Sequence, residues 1–86
     1  MRIEDQFGRN LKRIREERDV SQDELAVRAS LHRTEISQLE RGQRMARMDT
    51  LLKISASLNV SPSDLLAGIV WERGTSRRGR FRETGD

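Results

Sequence analysis

Two short capped helical segments stand almost back to back between Ser21 and Gly42, in the run SQDELAVRASLHRTEISQLERG. The first opens with a capping box: the Ser21 side chain can accept from the Glu24 amide, and Glu24 can reach back to the Ser21 amide. Leu25, Ala26 and Ala29 then share its inner face. Ala26 suits a close crossing of two helices, where a larger side chain has no room. The turn is Ala29-Ser30-Leu31-His32, and a second helix is predicted from about Arg33 to Arg41, with Ile36 and Leu39 inward and Gly42 as its C′ glycine. Few folds are open to a chain with so little backbone between two helices. A tight corner of this kind is the helix-turn-helix, whose second helix can lie in a DNA major groove.

The outward face of that second helix supports the same reading. It carries Arg33, Thr34, Ser37, Gln38 and Arg41, where a solvated face is commonly rich in Glu and Lys. Arg, Thr, Ser and Gln are types that hydrogen-bond base edges. His32 falls at the N-cap, where its ring can touch the backbone or a phosphate, although His is not a favoured cap. Plain surface or capping use is the alternative to a phosphate contact there.

Net charge alone says little, because +3 is ordinary for a mixed charged surface. Its distribution says more. Residues 1–68 hold twelve basic and eleven acidic side chains, and residues 69–86 hold five and three. Between Arg33 and Arg47 four arginines face only Glu35 and Glu40. The excess positive charge lies in the proposed reading region and in the tail.

Around the corner the chain reads as further helices. Ile3, Phe7, Leu11 and Ile14 make one apolar stripe on a helix from about Ile3 to Arg18. Glu4 and Asp5 suit its N-terminal end, and Arg13, Arg15 and Arg18 its C-terminal end. A fourth helix is predicted at about Met48 to Leu58, with Met48, Leu51, Leu52, Ile54 and Leu58 as core candidates and Asn59 as a left-handed cap. Ser61, Pro62 and Asp64 start a fifth, which includes Leu65 and Leu66 and ends near Gly68. The expected fold is all-α, a five-helix bundle over residues 1–68, followed by an extension over 69–86. From Gly74 that extension is polar, arginine-rich and glycine-punctuated, and a flexible basic tail is predicted. Ile69, Val70 and Trp71 lie between the fifth helix and the tail, and with Leu66 they are the expected dimer contact. Trp71 is either a capped core position or a dimer contact, because small exposed apolar patches often mark interfaces.

Several function classes drop out. The chain has no cysteine and one histidine, so no Cys-based or His-cluster metal site is expected. With no nucleophile–base pair an enzyme is not expected, nor is a cofactor. The longest apolar runs are too short to span a membrane, and MRIEDQFGRN lacks the apolar region of a secretion signal. A cytoplasmic protein is expected.

The run from Phe7 to Leu66 resembles the Cro/repressor-type, or xenobiotic-response-element-type, helix-turn-helix domain. The matching pieces are Gly8-Arg9-Asn10-Leu11-Lys12-Arg13-Ile14-Arg15, Ser21-Gln22-Asp23-Glu24-Leu25-Ala26, Leu31 through Gly42, Thr50-Leu51-Leu52-Lys53-Ile54 and Val60-Ser61-Pro62. The resemblance implies a compact bundle of five helices that binds DNA sequence-specifically as a dimer. It places base-reading on Arg33, Thr34 and Gln38, with Ser37 as a fourth position. It places Gln22 on phosphate and as a brace for the reading helix, Arg41 and Arg44 on phosphates, and Glu40 in a structural role. Ser30 stands where the family commonly has glycine, Ala46 where it often has proline, and Arg47 where it has a small cap. These departures imply a mildly strained turn and a less rigid loop. The stretch Leu31 to Ser37 also looks like restriction–modification controller proteins. The leading expectation is a regulator, a repressor or autoregulator, dimeric on a palindromic operator. The alternative is an antitoxin-type interaction module that also binds DNA, with the extension as its partner segment. A toxin or RNA polymerase contact stays open as a further partner.

Overall fold

α1 (Ile3–Glu17) follows from its apolar stripe: in the computed structural model Phe7, Leu11 and Ile14 are buried along one side of it. The structure describes residues 2–75 and 78–84. After α1 come α2 (Gln22–Ala29), α3 (Arg33–Glu40), α4 (Met48–Leu58) and α5 (Pro62–Leu65), then two strands, β1 (Ile69–Glu72) and β2 (Arg80–Glu83). Leu11, Leu25, Ile36, Leu39, Ile54, Leu58 and Leu65 are fully buried, so all five helices supply the one core. Ala26 is buried where α2 meets its neighbours, as its size requires.

The helix ends share one device. Asp19, Ser30, Gly42 and Asn59 all have left-handed backbones, with φ of 55°, 56°, 71° and 57°. After each, the next amide donates five residues back: Val20 to Arg15, Leu31 to Ala26, Gln43 to Gln38 and Val60 to Ser55, at 3.1, 2.9, 2.9 and 3.0 Å. This Schellman arrangement satisfies carbonyls that a helix end leaves open. α1, α2, α3 and α4 thus turn sharply on backbone hydrogen bonds, and Arg18 adds a side-chain bond to the Leu58 carbonyl at the end of α4, at 2.7 Å. At its start, α2 keeps half of the predicted box. Ser21 Oγ accepts from the Glu24 amide at 3.0 Å, while the Glu24 carboxylate pairs with Arg28 instead.

Three expectations are corrected. First, Met48 and Leu52 are not core: they are 78% and 54% exposed. α4 buries Ile54, Ser55 and Leu58. Leu51 is only half covered, Met48 lies a turn beyond it, and Leu52 points about 100° away around the helix. Second, α5 is a single turn, Pro62–Leu65, and leaves Leu66 exposed. Asn10 stabilises it from α1, its side-chain Nδ2 donating to the carbonyls of Leu65 and Ala67 at 2.9 Å each.

Third, the chain is not all-α and its basic tail is not without structure. β1 and β2 pair antiparallel, with Ile69 opposite Glu83, Val70 opposite Arg82, Trp71 opposite Phe81 and Glu72 opposite Arg80. The tail orders by pairing with β1, which Ile69 anchors to the core. Trp71 and Phe81 meet edge to face, ring centres 5.0 Å apart. Glu72 holds Arg80 and Arg82, each at 3.0 Å, and Arg80 beside it keeps the Glu72 carboxyl below its usual range. The part of the predicted tail at Ser76, Arg77, Gly85 and Asp86 lies outside the described residues.

Candidate nucleic-acid interface

The corner is built by backbone geometry. Ser30 adopts φ 56° and ψ 44°, and the Leu31 amide closes back onto Ala26. Leu31, partly buried, then packs on the core and starts α3 at a new angle. At the N-cap, Glu35 Oε1 accepts from the His32 backbone amide at 3.0 Å. Ile36 and Leu39 seal the inner side of α3.

That burial leaves one outward arc. At 100° per residue, Arg33, Thr34, Ser37, Gln38 and Arg41 fall within about 140° of each other. Arg33, Thr34 and Arg41 are exposed, and Ser37 and Gln38 are half-buried. Arg33, Thr34, Ser37 and Arg41 line a shallow depression of about 180 Å³. Gln38 sits on the flank, where its Oε1 accepts from Arg44 Nη1 at 3.2 Å. The sequence assigned Gln38 and Arg44 to different partners, yet here they touch. Arg33 rests 3.4 Å from Asp23 on α2 in an exposed ion pair. Such pairs are worth only about 0–1 kcal/mol, so Arg33 is free to change partner. His32 is exposed beside this arc.

Behind the arc lies a network that the sequence only partly disclosed. Arg15 and Glu40 form a buried bidentate pair, Nε to Oε2 at 2.5 Å and Nη2 to Oε1 at 3.0 Å. Gln22 Nε2 donates to the same Glu40 Oε1 at 3.0 Å, and Arg15 Nη1 donates to the Val20 carbonyl at 2.8 Å. The hydrogen bond to Glu40 raises the Arg15 guanidinium further above its ordinary value. Gln22 therefore braces α3 from α2, with one amide proton left for another acceptor. Arg15 was assigned to the α1 dipole. Its position four residues after Leu11, on the apolar stripe, is the signal that it is buried. Among the described residues no buried side-chain polar atom lacks a partner.

A helix-turn-helix corner with a hydrogen-bonding outer face defines the class. Residues 11–65 match the helix-turn-helix family, and the chain belongs to it, in the Cro/repressor-type group of DNA-binding regulators. Among its relatives is control protein C.BamHI of Bacillus amyloliquefaciens, 46% identical over 61 residues, which span 70% of this chain and 75% of that one. The restriction–modification controller protein C.AhdI from Aeromonas hydrophila has a similar structure, with a TM-score of 0.71 and 32% identity over 72% of this chain and 94% of its own. SinR, a master regulator for biofilm formation solved in complex with DNA, aligns with a TM-score of 0.67 and 34% identity, over 70% of this chain and 97% of that one. Among the described residues no helix is long and apolar enough to cross a membrane, and no group of three or more His, Cys, Asp or Glu could hold a metal.

Proposed function

We propose that this protein is a transcriptional regulator that binds a near-palindromic operator as a homodimer, of the kind that controls restriction–modification genes. The observation that carries the reading is the α3 arc: five hydrogen-bonding side chains and no carboxylate on the one helix face that the core leaves free. Arg33, Thr34, Ser37 and Gln38 read base edges. Gln22, His32, Arg41 and Arg44 contact phosphates and fix the register in which α3 enters the groove. One α3 makes too few contacts for a unique site, so two copies read half-sites about one helical turn, ~34 Å, apart. Residues 1–68 form the DNA-binding body, and Leu66 at its edge together with Ile69, Val70 and Trp71 of residues 69–86 serves contacts between copies. Likeness to the controllers C.BamHI and C.AhdI supports the choice of regulated genes.

Binding selection on random duplexes tests this. Wild type should enrich a two-fold sequence. Arg33→Ala should relax preference at one base pair per half-site and Gln38→Ala at a different one, each by about 1–3 kcal/mol of discrimination. Equal weakening on selected and random DNA in both variants would remove α3 as the reader.

A further inference from the structure

Seven large hydrophobic side chains are exposed among the described residues, and Met45, Leu66, Trp71 and Phe81 gather in one place. There an apolar groove of about 280 Å³ runs between the start of α1, the loop after α3, and the hairpin. Ile3, Phe7, Met45, Leu51, Leu66 and Phe81 are among its walls, and no charged or polar side chain lines it. Trp71 is not a wall. Its ring lies so close over Gly79 that a Cβ there would come within 2.3 Å of it, and it leans on Phe81, which is a wall. Held up in this way, the indole is 56% exposed beside a hole it does not fill.

We infer that the groove receives Trp71 from a second copy of this chain, each copy giving its indole and taking the other's. The inference rests on the dimeric reading above and specifies how the two copies meet. An isologous contact needs projection and recess on the same patch, and here they are joined through Phe81. The uncharged lining rejects a phosphate or an arginine-rich segment, because a buried charge there would have no counterpart. An aromatic anchor in an apolar pocket is the usual centre of such a contact. On the hairpin itself, Glu72 holds Arg80 and Arg82. The hairpin lies beyond residues 11–65, the part of the chain that the family model matches.

Trp71 is the only tryptophan, so its emission reports the contact directly. Sedimentation should show dimers, and on dilution the emission should shift to the red over the concentrations at which they dissociate. Trp71→Ala should raise the dimer dissociation constant about 30-fold or more. Met45→Glu, which leaves the hairpin intact, should also raise it and keep Trp71 red-shifted and open to iodide quenching. A wild-type dimer whose Trp71 is quenched as freely as a monomer's, or a Trp71→Ala protein with an unchanged dissociation constant, overturns the inference while leaving a dimeric regulator in place. A wild-type protein that stays monomeric and selects no two-fold duplex overturns both.

Discussion

At the scale of single side chains, Arg44 touches a residue of the proposed reading face. It is exposed on the loop after α3 and donates to Gln38 Oε1, and the proposed function adds a phosphate contact. An amide whose oxygen is occupied is left with its NH2 as a donor, so in the proposed reading Arg44 would set Gln38 to meet base acceptors. Arg44→Ala should therefore do two things: lower the slope of log K against log salt by about 0.9, one phosphate contact's worth, and blur the preference at the base pair that Gln38 reads. Salt titrations on the selected duplex and on its variants at that base pair would check both effects. A lowered slope with unchanged sequence preference would confine Arg44 to the backbone. The outward residues of α3 were legible because helical periodicity fixes what faces away once Ile36 and Leu39 face in. Arg15 was harder to read, because its meaning depends on Glu40, which lies 25 residues along the chain.

At the scale of elements, the helix terminations were largely written in residue types. Asn59 and Gly42 belong to the types that tolerate a left-handed backbone, and the structure puts both there. Ser30 is the poorest fit of the four, since its side chain gains little from φ 56° and bears the steric cost. Ser30→Gly should remove that cost while adding some freedom to the unfolded chain, for a net stabilisation of about 0.5–1 kcal/mol and a melting temperature a few degrees higher. Thermal unfolding followed by circular dichroism checks the direction; an unchanged or lower midpoint would mean that the turn carries no strain. The hairpin was not legible for a physical reason. Its strands IVWE and RFRE are four residues long and half charged, with no compact turn signal between them. They become strands only through pairs that no local pattern announces, Trp71 with Phe81 and Glu72 with two arginines.

In the whole molecule, α1 acts as the bed on which α3 is laid. Arg2 Nη2 donates to the Gly42 carbonyl at 3.0 Å at one end, and Arg15 grips Glu40 at the other. Between them Gly8 lies so near that an added Cβ would meet the Leu39 and Glu40 carbonyl oxygens at 2.5 and 2.6 Å. Those atoms are backbone and cannot step aside without moving α3. Gly8→Ala should cost about 1–3 kcal/mol by overpacking and should weaken operator binding more than non-specific binding, because the arc would tilt. Urea denaturation beside binding to selected and random duplexes separates the two losses. Wild-type stability would show that the bed gives way elsewhere. The resemblance carried Gly8 in its motif, but the close approach itself appears only when α1 and α3 are assembled.

The hold of α1 on α3 and on the loop after it also bears on the thermodynamics of association. The ordering of the recognition element is completed when the chain folds, so little of it remains to be done when DNA arrives. Docking is then close to rigid-body for this element, and its heat-capacity change reflects the surface that meets the duplex rather than a coupled folding step. An encounter that waits on no helix formation is limited by diffusion and orientation alone.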